Sequence, residues 1–112
     1  RAAFAKGSPL VENDLYKVHA SRRDAPGQAE VHARDTDILY VLEGKATLVT
    51  GGSVVGGKQI APDEIRGARI DGGTTRELAP GQVVVVPPGT PHWFEIVPGP
   101  FVYYVVKVKA QE

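Results

Sequence analysis

Short apolar or alternating segments, separated by turns rich in glycine and proline, follow one another along the chain. Alternation with a period of two is typical of a half-buried strand, and a short continuous apolar run is typical of a buried one. The pattern predicts strands over residues 16–20, 29–33, 37–43, 45–50, 82–86, 92–97 and 101–109. Weaker strands are expected at 53–60 and 68–71, within a glycine-rich excursion over 51–77 that we expect to form a rim or lid. Only residues 1–6 have a pattern that allows a helical turn or two.

Composition supports an all-β fold. Sixteen valines favour strands, because the branched Cβ suits a pleated surface and loses χ1 freedom in a helix. Thirteen glycines and nine prolines are enough to end each segment with a turn. With 112 residues and neither a linker nor an internal repeat, the sequence predicts one domain over residues 1–112. Many short strands in one small domain favour a barrel or a sandwich.

Charge and cysteine content exclude several classes of protein. Thirteen basic and thirteen acidic residues cancel, so the basic excess typical of a nucleic-acid-binding protein is missing. No apolar run approaches the roughly 18 residues of a membrane-spanning helix, and we expect neither nucleic acid nor membrane as a partner. The absence of cysteine excludes a disulfide framework, a zinc finger and a thiol nucleophile. The sequence starts at Arg1 without a signal-peptide pattern, and both a cytoplasmic and an exported location stay open for the expected soluble protein.

The clearest motif is a turn in which Pro87 and Gly89 precede His92. Residues 81–92 read GQVVVVPPGTPH, with the spacing G-x5-P-x-G-x2-H. Pro87 ends the first strand because it has no N–H, and Gly89 permits a positive φ at the corner. This segment resembles the second motif of the cupin superfamily, although Ile96 occupies a position where the family often has Asn. The resemblance implies that the returning strand carries His92 inward.

Residues 30–44 resemble the first cupin motif, H-x-H-x3-4-E-x6-G, in a degenerate form. Glu30 replaces the first His and the shorter Asp37 replaces the Glu, whereas His32 and Gly44 match. The two motifs and the strands around them cover about residues 28–50 and 78–108. The resemblance implies a small antiparallel jelly-roll barrel, often dimeric, with a metal and substrate site in its mouth. It does not imply one reaction, because the superfamily includes several classes of enzyme and non-enzymatic binders.

Four residues of these motifs are the candidate metal ligands: Glu30, His32, Asp37 and His92. Glu30 and His32 lie two apart on a predicted strand and therefore share a face, which could be the barrel interior or an edge in solvent. Asp37 could alternatively cap the turn before it. Nitrogen and oxygen donors without sulfur suit a divalent transition metal, namely Zn²⁺, Mn²⁺, Fe²⁺, Ni²⁺ or Co²⁺. Without a metal, two neighbouring buried carboxylates would repel, and Glu30 with a raised pKa would be a candidate general acid or base.

The pocket around these residues is expected to be apolar and aromatic. Strand alternation gives the candidate substrate-contacting residues, which are Leu39, Phe94, Tyr103 and Tyr104. Of the two tyrosines, only one should line the barrel. Ile96 is expected to point inward together with Phe94.

Basic residues are expected outside the pocket. His19 lies outside both motifs, and we expect it at the surface or the rim. The arginines in predicted loops or turns are interpreted as solvated charges: Arg22, Arg23, Arg66 and Arg76. A phosphorylated or highly anionic substrate is therefore not favoured.

Two classes of function stay open. One is a metal-dependent enzyme that acts on a small, uncharged or weakly anionic molecule by lyase, isomerase or dioxygenase chemistry, with Glu30 as ligand or base. The other is a non-catalytic module that binds a small molecule or a metal. The altered first motif favours the binder, and the lack of a second domain favours the enzyme. Segments 82–86 and 103–108 are apolar on both faces, so we also expect a homodimer formed by packing or exchange of sheet edges.

Overall fold

Antiparallel strands make up nearly all of the computed structural model, which describes residues 9–110. The predicted helical turn at 1–6 lies outside the described residues. The strands, in chain order, are β1 (Pro9–Glu12), β2 (Tyr16–Arg23), β3 (Ala29–His32), β4 (Asp35–Glu43), β5 (Ala46–Thr50), β6 (Ser53–Val55), β7 (Lys58–Ala61), β8 (Glu64–Gly67), β9 (Arg69–Asp71), β10 (Thr74–Leu78), β11 (Val83–Val86), β12 (His92–Ile96) and β13 (Phe101–Lys109). The all-β fold expected from the sequence is confirmed.

Two sheets enclose the core. One has five strands in the order β1-β2-β13-β4-β11, the other has six in the order β10-β5-β12-β3-β8-β7, and β6 pairs with β9 as a separate ribbon. The most completely buried large side chains are Phe101 and Val41 from the five-stranded sheet and Leu48 from the six-stranded sheet. Phe101 also packs against Phe94 and Tyr103, with ring centroids 5.6 and 5.2 Å away, respectively. Such tilted aromatic contacts stabilise the fold beyond the area that they bury.

The excursion over 51–77 is more ordered than the sequence pattern indicates. It forms strands β6 to β9 and most of β10, where only two weak strands were expected. β8 pairs with β3 and β7 pairs with β8, so this segment widens the six-stranded sheet beside the first motif. β10, which the pattern did not predict, pairs along the other edge with β5.

Ile96 does not point into the barrel. The pairing of β12 with β5 is irregular between Phe94 and Ile96, so the expected alternation is lost after Phe94. Phe94 is buried, whereas Ile96 is 52% exposed. The inward position predicted for Ile96 is therefore wrong.

No helix among residues 9–110 has both the length and the apolar character needed to cross a membrane.

Gly44 should be the more sensitive of two turn glycines to substitution. It lies between β4 and β5 with a φ of 84°, and a Cβ there would overlap the carbonyl oxygen of Pro100. Gly89 has a similar φ of 77°, but a Cβ would meet no described atom within 4 Å. The positive φ should lower the free energy of unfolding of both alanine variants by about 1–3 kcal/mol. The decrease should be larger for Gly44→Ala, because the backbone has to move. Urea unfolding measures both losses; equal losses would contradict the role of the Pro100 contact.

Candidate functional site

A cavity of about 260 Å³ lies within the barrel. Both sheets contribute to its lining. Its apolar wall consists of Leu39, Val86, Phe94, Tyr103 and Val105. The remaining lining residues are polar, an unusual concentration for the interior of so small a protein. The cavity therefore combines an apolar wall with many convergent polar groups, as ligand sites do.

All four predicted ligands line this cavity, and three of them bring their ligand atoms together. Glu30 and His32 project from β3, and His92, which pairs with Glu30 across the sheet, projects from β12. One ligand atom from each lies within 4.8 Å of the other two, and Glu30 Oε1 is 3.3 Å from His32 Nε2. Two imidazole nitrogens and one carboxylate oxygen match the donors of many divalent transition-metal sites. The chemistry of this set, which we call the ligand cluster, fits one metal ion.

A contact with the backbone fixes the orientation of the His92 ring. Its Nδ1 lies 3.2 Å from the carbonyl oxygen of Thr90, which assigns the proton to that nitrogen. The lone pair of Nε2 is then available inside the cavity. A backbone carbonyl in this position is a common partner of metal-binding histidines, because it fixes both the tautomer and the ring.

Asp37 lies behind the ligand cluster. It is 4% exposed, and both of its carboxylate oxygens accept hydrogen bonds of 3.0 Å from Lys107 Nζ. Its Oδ2 is also 3.2 Å from His32 Nδ1, a contact that lacks hydrogen-bond alignment, and 3.6 Å from His92 Nε2. The fourth predicted ligand is thus engaged by Lys107 and contacts the two histidines from one side.

Comparison with known proteins agrees with the two motifs. The profile of the family described as Cupin matches residues 15–112. The chain belongs to the cupin family. No curated protein matches this cupin at a significant level.

Solved structures show the same fold at low sequence identity. Hydroquinone 1,2-dioxygenase from Sphingomonas sp. TTNP3, solved with 4-hydroxybenzoate bound, superposes with a TM-score of 0.69 and 15% identity over 99% of this cupin and 70% of that chain. The DMSP lyase DddQ from Ruegeria pomeroyi DSS-3 gives a TM-score of 0.60 and 20% identity, over 89% of this cupin and 41% of that chain. The Cnp3 cupin domain from Schizosaccharomyces pombe gives a TM-score of 0.66 and 12% identity, over 92% of this cupin and 63% of that chain. The jelly-roll fold expected from the motifs is confirmed.

The charges of the cupin cavity are balanced locally. Burial raises the pKa of Glu30, but the hydrogen bond from His32 and the charges of His92, His32 and Arg66 outweigh burial and lower this pKa from 4.5 to about 2. Contacts with Asp37 and Glu30 raise the pKa of His32 from 6.5 to about 9, despite its burial. Burial raises the pKa of Asp37, but His32 and Lys107 outweigh it and lower this pKa overall. The raised pKa that the sequence suggested for a metal-free Glu30 is wrong, because each carboxylate has its own cation.

The excursion contributes to the site through β8. Glu64 pairs across the sheet with His32, and Arg66 pairs with Glu30. The Glu64 carboxylate lies 3.4 Å from His32 Nε2 and 2.9 Å from Arg66 Nε. Arg66 therefore lines the cavity from a strand, so its assignment to a loop is wrong, whereas its side chain is 43% exposed, as expected for a solvated charge. Alternating charge over 64–66 is a weak signal that sequence reasoning did not use.

β2 contributes a polar wall that was also missed. His19, Ser21 and Arg23 share one face of this strand and line the cavity. The sequence prediction ended the strand at residue 20, which separated Arg23 from His19 and assigned it to a loop. The loop assignment of Arg23 is wrong because β2 continues for three more residues. His19 is half-buried and lines the cavity, which excludes a surface position but not one at the rim.

The apolar lining agrees with three of the four predicted residues. Leu39, Phe94 and Tyr103 face the cavity. Tyr104 lies on the opposite side of β13, paired with Tyr40 on the outer face of the five-stranded sheet. Its predicted contact with a substrate does not fit this position, since successive side chains of a strand point to opposite faces.

Acid should destabilise the metal-free protein through Glu30. Because the pKa of Glu30 is lowered by folding, its contribution to the free energy of unfolding is complete above about pH 4.5 and is lost as the pH falls towards 2. In chelator-treated protein, Glu30→Gln should remove about 2 kcal/mol of that pH-dependent loss. Urea unfolding between pH 2 and 7 measures the effect. Asp71→Asn, which changes a 63% exposed carboxylate on β9, should keep the wild-type acid dependence. The electrostatic account fails if Glu30→Gln keeps it as well.

Proposed function

We propose that this cupin binds one divalent transition metal ion through Glu30, His32 and His92 and acts on a small organic molecule in the same cavity. The observation that carries the proposal is the approach of the three ligand atoms to within 4.8 Å of one another inside the barrel. When bound, the ion would supply a Lewis acid that polarises an oxygen of the substrate. Zn²⁺, Mn²⁺, Fe²⁺, Ni²⁺ and Co²⁺ all suit these donors.

The surrounding residues have distinct roles in this proposal. Asp37 positions His32 and His92, while Lys107 neutralises Asp37 and fixes its carboxylate. Glu30 is ionised at neutral pH and serves as a ligand, because its lowered pKa makes it a weak base and excludes a general acid.

The substrate is proposed to lie against the apolar wall. Leu39, Phe94 and Tyr103 face the cavity beside the ligand cluster and offer it an apolar surface. Reactions of lyase, isomerase or dioxygenase type remain the proposed chemistry. The structural neighbours include a lyase and a dioxygenase, which supports these classes at the level of the fold.

A non-catalytic binding module is the second candidate. Glu30 takes the place of a His in the first motif, and Lys107 engages Asp37, so the usual four-residue set of the family is altered. Such a module would hold its ligand or metal without changing it.

Metal should stabilise the chelator-treated protein. A metal ion that binds only the native state, at a hundredfold excess over its Kd, adds about 2.7 kcal/mol to the free energy of unfolding, which corresponds to a Tm increase on the order of 10 °C. His92→Ala should abolish this increase, whereas His19→Ala should retain it because His19 lies outside the ligand cluster. Thermal melts with Zn²⁺, Mn²⁺, Ni²⁺ and Fe²⁺, together with elemental analysis, test this expectation.

The result of that test also separates the two candidates. No bound metal and no Tm increase with any of the four ions would contradict the metal site and favour a metal-free binding module. With Mn²⁺ bound, three protein ligands leave room for exchangeable water. The relaxation rate of water protons should therefore rise above the rate in the metal-free protein solution. An unchanged rate would indicate a closed site and a binding role.

A homodimer is proposed from the outer face of the five-stranded sheet. This face consists of Tyr16, Val18, Ile38, Tyr40, Val83, Val85, Tyr104 and Val106. Val83, Val85 and Tyr40 are 58%, 56% and 42% exposed. These apolar residues are contiguous, with Arg22 on the same face towards the end of β2, and such an apolar surface is typical of an interface. Most soluble homo-oligomers are two-fold dimers that use one patch twice, so we propose a second copy of the chain as the occupant.

A single charge should dissociate this dimer. Sedimentation of the wild type at micromolar concentration should give twice the mass of one chain, and Val85→Glu should give one chain mass because it buries a charge in the interface. Ile60→Glu places the same charge at a 52% exposed apolar position on β7, in the other sheet, and should remain dimeric. A monomeric wild type would contradict the proposed interface.

A further inference from the structure

Arg23 brings a guanidinium group into the cavity that the proposed metal centre does not use. Its central carbon lies 4.6 Å from the ring centroid of Phe94. Its Nε is buried and has no hydrogen-bond partner among the described residues. The Glu30 carboxylate approaches an Nη atom only to 3.9 Å, too far for a direct hydrogen bond. A buried donor without a partner is costly, so the position favours a ligand that supplies an acceptor.

The backbone is shaped to hold this guanidinium. Gly27 donates its N–H to the carbonyl oxygen of Phe94 at 3.1 Å, and its own carbonyl accepts a hydrogen bond of 3.0 Å from Trp93 Nε1. A Cβ at position 27 would lie 2.6 Å from Arg23 Nη1. The guanidinium thus lies near both the Phe94 ring and a residue that has no side chain. A substitution at Gly27 would displace the charge without removing it.

Two further groups lie along the same wall. Ser21 and His19 share the cavity-facing side of β2 with Arg23. His19 Nε2 is buried and, like Arg23 Nε, finds no hydrogen-bond partner within residues 9–110. This wall belongs to the five-stranded sheet, whereas the ligand cluster belongs to the six-stranded sheet. A small molecule between the sheets could contact both.

The charge of the cavity favours a single negative charge on that molecule. Three fixed cations line the cavity, Arg23, Arg66 and Lys107. Arg66 pairs with Glu64, and the protonated His32 lies beside Glu30. Lys107 is hydrogen-bonded to Asp37. Arg23 is then the cation that has a buried N–H without a hydrogen-bond partner among the described residues. A dianion would face the repulsion of the Glu30 and Asp37 carboxylates. A carboxylate carries one charge and two oxygens that match the arginine fork.

We propose that the ligand of this cavity is a small carboxylate whose carboxylate group binds Arg23, with Ser21 and His19 as further polar contacts. Its body lies against Tyr103 and extends towards the ligand cluster. The proposal rests on the proposed function in placing the substrate in this cavity, but the contact with Arg23 requires no metal. The cavity volume of about 260 Å³ restricts the ligand to a small molecule. Arg23 Nη2 lies 3.9 Å from Glu30 Oε2, so a small ligand held by Arg23 would extend to the metal position.

Calorimetry on chelator-treated protein tests the carboxylate contact apart from the metal. Acetate, pyruvate and benzoate are the charged probes, benzyl alcohol is the neutral one, and inorganic phosphate is the competing anion. At least one carboxylate should bind wild type ten times or more tightly than benzyl alcohol does, and more tightly than phosphate. Arg23→Gln should weaken that binding at least tenfold, and Arg23→Lys should restore it only in part because it lacks the fork.

Two variants control for charge and folding. Gly27→Ala keeps the Arg23 charge but displaces it, and should weaken carboxylate binding by a similar factor. Arg22→Gln removes a neighbouring, exposed arginine that pairs with Asp24 at 3.0 Å, and should bind the carboxylate like the wild type. A cooperative urea transition for each variant confirms that it is folded.

The outcomes separate this proposal from the metal site. Carboxylate binding that depends on Arg23 in metal-free protein supports the proposal, whether or not a metal later binds. It is overturned if none of the carboxylates binds, if binding occurs only after Zn²⁺ is added, or if Arg23→Gln binds as well as the wild type. Tighter binding of phosphate, or equal binding of benzyl alcohol, also overturns it.

Discussion

The site depends on keeping Asp37 ionised in the interior of the barrel. Taking a carboxylate out of water is expensive unless cations and hydrogen bonds compensate, and Asp37 is 4% exposed. Lys107 compensates with two hydrogen bonds, and it can do so because the register of β13 against β4 pairs Lys107 directly with Asp37. Asp37 in turn stabilises the charge on His32 and contacts His92. A shift of one residue in this register would leave Asp37 without its cation and the two histidines without their neighbour.

Because of the same contacts, a metal ion and a proton compete for His32. The pKa of His32 is about 9 in the metal-free protein, so the imidazole is protonated at neutral pH. His32 must lose that proton before its Nε2 can bind a metal ion. Glu30 and Glu64, which lie 3.3 and 3.4 Å from this nitrogen, stabilise the proton when the metal is absent. The cluster is thus electrostatically balanced in the metal-free protein, which accounts for buried acids in a small barrel without requiring the metal to fold it.

Sequence reasoning succeeded where the determining interactions are local. The Pro87–Gly89 corner and the alternation after it place His92, and the two-residue spacing of Glu30 and His32 places both on one face. It failed where a contact is determined by the pairing of strands that are far apart in the sequence. Lys107 lies 70 residues from Asp37, and its contact follows only from the register of β13 with β4. Arg23 was missed because the end of β2 depends on its pairing with β13, not on a turn signal.

The two sheets of the barrel contribute different chemistry. The six-stranded sheet supplies the ligand cluster from β3 and β12, whereas the five-stranded sheet supplies the cations Arg23 and Lys107 from β2 and β13. Any molecule that contacts both is therefore sensitive to how the sheets pack against each other. The aromatic contacts of Phe94 with Phe101 and Tyr103 cross between the sheets beside the cavity and fix that packing. Because the proposed dimer would cover the outer face of the five-stranded sheet, it would also support the strands that position both cations.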